Sequence, residues 1–298
     1  MNATLFALAT IAMWSSLALL TDRVSHLPPL LSVGLVLTTC GIVGALRIRE
    51  WKVSAVTWMV GVGGIFGYHF LLFAAFGKAP AVEANMIQYL WPLFIVLFTP
   101  IILPGNNLTT HHIIGAIFGL TGAILIVTGG KIGLKIEYLS GYCCAFGAAI
   151  IWACYSLLTK RLPLFSTAAV GGFCFVSGLL SLGLQYITQG SLPMPNPEEC
   201  INIVLLGIGP MGMAFYTWDA AMKRSDSRTI GSLAYITPLL STLLLVVVNG
   251  ANFTLLHGAA IVLVTGGAVV GSLDTLRPAL FALLRGPKKC TEVFHNHQ

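Results

Sequence analysis

Charge is what this sequence has least of. Its 298 residues hold 16 Lys and Arg and 10 Asp and Glu, together 9%, against about 25% in an average soluble domain. With 56% of the residues apolar, too few polar side chains remain to coat a water-exposed surface, which excludes a soluble globular domain. The same figures exclude disorder, whose signature is low hydrophobicity with high charge. The 32 glycines follow no three-residue period, which excludes collagen. Period-two alternation is also missing, so a membrane β-barrel is not expected.

Chemical motifs are scarce as well. The seven cysteines (Cys40, Cys143, Cys144, Cys154, Cys174, Cys200 and Cys290) are an odd set with no C-x-x-C. No disulfide framework and no metal site is expected from them. There is no Walker motif, so this chain alone does not pump with ATP. An intramembrane enzyme would need paired Asp residues, a Ser with a base, or a metal motif at membrane depth. The chain has no H-E-x-x-H, no G-x-S-x-G and no second deep Asp beside Asp219. The expectation is not an enzyme, and no cofactor. Gly207-Ile-Gly209-Pro-Met-Gly212 fits the dinucleotide pattern, but it lies in an apolar run with Pro210, without the strand that pattern needs.

What is present is a series of long apolar runs. A helix crossing about 30 Å of hydrocarbon takes about 20 residues. That ruler gives ten spans, at 4–20, 28–46, 55–76, 82–102, 111–129, 140–158, 167–187, 200–220, 229–248 and 254–272. The first run lacks a basic leader and is read as the first helix, not a cleaved signal. The fold class expected is an all-α integral membrane protein embedded in the lipid bilayer. Gly63-x-x-x-Gly67, Gly115-x-x-x-Gly119 and Gly267-x-x-x-Gly271 predict close helix packing.

Twelve of the sixteen basic residues fall on one side of that arrangement. They are Arg47, Arg49, Lys52, Lys160, Arg161, Lys223, Arg224, Arg228 and four in the tail, against Arg23, Lys78, Lys131 and Lys135 on the other side. The positive-inside bias makes both termini cytoplasmic. The net charge of +6 is thereby explained by loops facing a membrane surface, and no nucleic-acid partner is expected. Residues 274–298 read as a basic cytoplasmic tail, in which Leu276 to Leu284 would lie along the membrane surface.

The chain also repeats itself. Trp14-Ser-Ser-Leu-Ala-Leu-Leu-Thr-Asp-Arg23 and Trp152-Ala-Cys-Tyr-Ser-Leu-Leu-Thr-Lys-Arg161 align at an offset of 138. Tyr89-Leu-Trp-Pro92-Leu93 and Tyr235-Ile-Thr-Pro238-Leu239 align at an offset of 146. Two five-helix repeats follow, 1–135 and 136–273. Five is odd, so the copies enter the membrane from opposite sides. Inverted repeats are the architecture of secondary transporters, with the substrate near the midplane between the halves.

Ten helices in two halves, with an Ala-rich entry to the fourth helix that ends in Pro, resemble the drug/metabolite transporter superfamily. Within it, Glu83-Ala-Asn-Met-Ile-Gln-Tyr-Leu-Trp-Pro92, Tyr216-x-Trp-Asp219 and Gly231-Ser-Leu-Ala-Tyr-Ile-Thr-Pro238 are similar to EamA-type exporters of aromatic amino acids, the YddG type. The resemblance covers nearly the whole chain. It implies export of amino acids with aromatic or apolar side chains, and related small metabolites, across a bacterial inner membrane. It also implies alternating access through a central cavity lined mainly by helices 1, 3, 4, 6, 8 and 9. Gln88, where Asn is expected, and His69, where an acid is, depart from the family pattern. A small-molecule substrate is the partner implied, and a monomer is the working expectation.

Several residues are candidates for binding that substrate. Asn85, Gln88 and Tyr89 share a stripe of the fourth span with Pro92, and polar groups facing lipid are costly. They read as a cavity wall or as bonds between helices. Ser232 and Tyr235 repeat the pattern on the ninth span. Trp14 and Trp152 lie mid-span, where Trp is unusual, as packing or as aromatic walls for the substrate. Tyr68, His69, Tyr216 and Trp218 are mid-span too. Pro92 and Pro238 would kink their helices and act in gating. Three groups could carry coupling: His69; Glu83, read chiefly as a boundary partner of Lys78; and Asp219, read chiefly as an i,i+4 partner of Lys223. The competing function is a proton-coupled multidrug exporter of lipophilic cations, which wants a carboxylate in the cavity.

Overall fold

The computed structural model describes residues 3–131, 133–249 and 254–274. These are helical and contain no strand. Eight stretches are long and apolar enough to cross a membrane, from Ala3–Thr21 to Pro197–Arg224, and Leu255–Gly271 is a shorter apolar helix. In hydrocarbon each N–H and C=O must be satisfied internally, so apolar runs of this length can only be helices. The tail segment 276–284 lies outside the described residues.

The chain runs through α1 (Ala3–Ser15), α2 (Leu17–Asp22), α3 (Pro29–Gly44), α4 (Ala55–Phe76), α5 (Ala81–Gln88), α6 (Trp91–Ile102) and α7 (Thr110–Thr128). It continues through α8 (Leu139–Arg161), α9 (Ala169–Gln189), α10 (Pro197–Ile208), α11 (Ala214–Arg224), α12 (Ser227–Ala234), α13 (Ile236–Asn249) and α14 (Leu255–Gly271). Four spans are thus broken. The first breaks at Ser16, whose hydroxyl donates to the Met13 carbonyl at 2.7 Å. The fourth breaks at Tyr89 and Leu90, with Pro92 in the first turn of α6. Between α10 and α11, Gly209–Met213 forms one π-type turn containing Pro210. The span at 227–249 breaks at Tyr235, ahead of Pro238. Pro lacks an N–H and crowds the preceding turn, which accounts for three of the four.

Caps set the span ends. Asn196 and Glu199 form a reciprocal box at the start of α10, with bonds of 3.0 and 2.6 Å. Gly129 and Gly190 close α7 and α9 in the left-handed conformation, which only Gly adopts readily.

The principal helix pairs are α3 with α9, α7 with α14, α4 with α8, and α1 with α11. Glycine permits the tightest of these approaches. A Cβ on Gly115 would collide with the Gly271 backbone, and one on Gly267 with the backbone of Gly115 and Gly119. The two motifs on α7 and α14 therefore pack against each other. Gly63-x-x-x-Gly67 does not behave this way: Gly63 has open space beside it. On α4 the close contacts are made by Gly61 against Phe173 and Gly64 against Tyr155.

The outer surface carries large apolar side chains such as Leu46, Ile101, Ile187 and Val247, as a lipid-facing protein requires. Polar contacts gather at the two ends. The upper end carries the connections after α2, α4, α7 and α9, with Arg23–Glu198 at 3.5 Å and His26 paired with Glu199. The lower end carries Arg47–Glu50 at 3.4 Å, Arg228 with Asp226, and Lys160 on the Ser225 carbonyl.

Candidate functional site: an aromatic cavity

A cavity of about 390 Å³ lies among α1, α2, α4, α5, α6, α8, α11 and α13. Thr21, Phe76, Ala81 and Ser241 line it towards the upper end; Trp14, Trp91 and Trp152 line its depth. Among the described lining residues there is no Asp, Glu, Lys or Arg.

Its inner end is closed by four tryptophans in mutual contact. Trp14 lies 5.9 Å from Trp91, 5.8 Å from Trp152 and 5.1 Å from Trp218, centroid to centroid. Trp91–Trp218 is 5.4 Å and mostly edge-to-face, the arrangement that ring quadrupoles favour. Trp218 sits beneath the floor, buried, with its indole N–H donating to the Ser156 hydroxyl at 2.9 Å. Tyr68 stacks at a tilt on Trp152 at 4.9 Å, and Phe215 packs on Trp152 at 5.6 Å.

Polar atoms are few and placed on the walls. Gln88 donates its amide to the Tyr68 hydroxyl at 2.8 Å, tying α5 to α4. His69 Nδ1 donates to the Ile65 carbonyl at 2.7 Å, so in the neutral ring Nε2 remains an acceptor. Asn85, Tyr89, Thr237 and Ser241 complete the set. The Thr237 hydroxyl is buried and has no hydrogen-bond partner among the described residues.

Seven residues singled out from sequence lie in this lining: Trp14, Tyr68, His69, Asn85, Gln88, Tyr89 and Trp152. Four do not. Trp218 lies below the floor. Tyr216 faces a separate cavity of about 240 Å³ beside Cys40 and Gly44. Ser232 packs on Gly271 and Tyr235 on Gly119. The break at Tyr235 resets the helix phase, so the inward face of α13 carries Thr237 and Ser241 instead. Sequence reasoning does not single out those two, four residues apart, although Thr237 stands 146 residues after Trp91, the offset that aligns Tyr235 with Tyr89.

The coupling candidates fall in different places. His69 faces the cavity. Glu83 does not, and it has no ion pair with Lys78 among the described residues: it accepts from the Tyr142 hydroxyl of α8. Asp219 is buried outside the lining. It accepts from Lys223 at 2.7 Å and from the Thr167 hydroxyl at 2.6 Å, while Lys223 also donates to the Phe165 carbonyl and covers that ring.

This arrangement belongs with known proteins. The EamA-like transporter family matches the chain twice, over residues 1–128 and 139–273. The chain belongs to that family. An EamA-like transporter is a multi-pass membrane protein of the drug/metabolite transporter superfamily. The aromatic amino acid exporter YddG of Ancylobacter novellus is 41% identical over 288 residues, covering 91% of this chain and 97% of its own. YddG of Escherichia coli (strain K12) is 27% identical over 300 residues, covering 93% and 98%. A crystal structure of a protein 41% identical in sequence matches this EamA-like fold with a TM-score of 0.86, over 93% of this chain and 98% of that one. The four broken spans of this EamA-like chain all border the cavity, so the irregular backbone lies where it lines a cavity and not where it faces lipid.

Proposed function

We propose that this protein is a secondary transporter that exports amino acids with aromatic or apolar side chains, and related small metabolites, across the bacterial inner membrane. The observation that carries this reading is the lining: aromatic rings, amides and hydroxyls, with no fixed charge among the described residues. Such a surface offers stacking to a ring and hydrogen bonds to a zwitterion's ends. Among the described residues it offers a lipophilic cation no carboxylate, since neither Glu83 nor Asp219 reaches it. The name borne by the relatives in Ancylobacter novellus and Escherichia coli supports the same substrate class.

Ten crossing helices form two inverted repeats, 1–135 and 136–273, and the cavity between them is reached alternately from either side. The double family match supports the duplication, as does the pairing of α3 with α9 and α7 with α14, which sets corresponding helices face to face. With both termini and the basic tail from 274 cytoplasmic, the upper end is the outside. The structure is then the outward-open state, and the tryptophan floor is its inner gate. The breaks before Pro92 and Pro238 supply hinges in matching places. One copy holds the whole cavity, so a monomer suffices.

Binding tests the substrate class. Purified protein in detergent is heated with a panel of amino acids and with tetraphenylphosphonium. Tryptophan, tyrosine and phenylalanine are expected to raise the melting temperature, and aspartate and lysine are not. Stabilisation by the cation alone would overturn the reading.

A further inference from the structure

Outside the cavity, the strongest unexplained cluster lies at the lower end, between the start of α7 and the end of α14. His111 and His112 are the second and third residues of α7, and Asp274 follows the last turn of α14. The imidazole rings are 4.3 Å apart. His111 Nε2 is 3.2 Å from one Asp274 oxygen, and His112 Nε2 is 3.4 Å from the other. One ligand atom from each of the three residues lies within 4.8 Å of the others.

Three features separate this cluster from an ordinary surface ion pair. The His112 side chain is fully buried, yet its Nε2 has no hydrogen-bond partner among the described residues. It faces the carboxylate without closing on it, since a charge-assisted N–H···O bond runs at about 2.7–2.9 Å. Second, the gaps fit a metal. Two ligands about 2.0–2.1 Å from a tetrahedral ion stand about 3.3 Å apart, close to each gap here, the two ending on different Asp274 oxygens so that the carboxylate would straddle the ion or turn one oxygen towards it. Third, the ring nitrogen of His112 on the other side is held: Thr109 Oγ1 lies 2.5 Å from His112 Nδ1, and 3.1 Å from His111 Nε2, a contact that metal on that nitrogen would replace. A ligating histidine characteristically has its second nitrogen held in this way, and with metal on Nε2 the Nδ1–H would donate to the Thr109 hydroxyl.

The geometry points to a divalent transition-metal site, of the zinc or cobalt class, formed by His111, His112 and Asp274. Two imidazoles and one carboxylate suit such ions better than magnesium or calcium, which prefer all-oxygen shells. Three protein ligands leave a coordination position for water. His111 and Asp274 are partly exposed, which gives the ion a way in. The nearby Arg228 does not oppose it as a free cation, because Asp226 holds the guanidinium through Nε at 2.9 and 3.1 Å. Bound metal would join the ends of the two helices that the Gly115 and Gly267 motifs bring together. Its role is a clamp on α7 and α14, separate from the transport cavity.

The test uses full-length protein with its affinity tag removed and with Cys290→Ser, Glu292→Gln, His295→Ala and His297→Ala, so that the end of the tail offers no competing thiol, imidazole or side-chain carboxylate. Cobalt chloride is titrated in, read by visible absorption, by metal content after desalting and by the melting temperature. One ion per chain, with a rise in melting temperature, is expected. His112→Ala and Asp274→Asn should each raise the Kd at least tenfold, and Thr109→Val about tenfold as the residue behind the ligand. Melting without metal reports whether each variant is folded, and His111→Gln reads the same site if His112→Ala is not. No saturable binding, or equal binding by the variants, would overturn the site.

Discussion

Trp14 and Trp152 stand 138 residues apart and meet with their ring centroids 5.8 Å apart. Each sits mid-span, in the two sequence segments that align at that offset, so the aligned segments touch through the same residue. Their contact forms part of the cavity floor. An aromatic contact contributes about 0.5–1.5 kcal/mol beyond its burial. Trp152→Ala is therefore expected to weaken the binding of an aromatic amino acid by about two- to tenfold, and Trp152→Phe by less. The concentration dependence of the ligand-induced melting shift reads this. An unchanged affinity in a folded Trp152→Ala variant would remove the floor from the binding site.

The Asp219–Lys223 pair makes a different prediction. Removing one partner of a buried pair costs about 3–5 kcal/mol, whereas replacing both with apolar groups is often neutral. Lys223 keeps the Phe165 carbonyl and ring, so the lower end of that range applies here. Asp219→Ala should lower the melting temperature and the yield. Asp219→Leu combined with Lys223→Met should recover both and transport at the wild-type rate. A folded double variant that has lost only its response to a pH gradient would make Asp219 a coupling group instead.

Asp226 gives the pH dependence. Burial alone would push its carboxyl up, but the hydrogen bonds from the Arg228 side chain and backbone outweigh burial and hold it below the usual carboxylate range. Its folded pKa is thus below its unfolded value. The contribution to stability is complete above about pH 4 and is lost as pH falls through the folded pKa. Asp226→Asn should melt below wild type at pH 7, with the gap closing as both are acidified below about pH 4. A constant gap down to pH 3 would contradict the assignment.

Glycines of identical spacing should behave oppositely. Gly115→Leu forces a side chain into the Gly271 backbone, and overpacking costs about 1–3 kcal/mol or more. Gly63→Ala meets nothing, and replacing a mid-helix glycine gains about 0.5–1 kcal/mol. Thermal melting of the two variants should move in opposite directions. Equal losses would mean that the α7–α14 contact is not the tight one.

Much of this fold was legible because a bilayer imposes a length. Apolar runs and their Pro and Gly separators locate the helices to within a few residues, and composition alone exposes the lack of charge. Direction within the bundle was harder to read. Tyr89 and Tyr235 align at the offset of 146, yet Tyr89 faces the cavity and Tyr235 packs against Gly119, because which side faces inward is set by the neighbouring helices and not by the local sequence. Glu83 was assigned to Lys78, a sequence neighbour. Its partner, Tyr142, comes from α8, and only the packing of α5 on α8 brings it near. The Ser16 break has no Pro or Gly to announce it.

The proposed function requires this aromatic cavity to carry aromatic amino acids across the membrane. Counterflow tests it most directly: proteoliposomes preloaded with unlabelled phenylalanine are diluted into labelled tryptophan, with and without a pH gradient. The account predicts transient accumulation of label, which needs no pH gradient and disappears when the vesicles are preloaded with aspartate. The absence of accumulation with any aromatic amino acid, in vesicles whose protein melts as the folded form does, would contradict it.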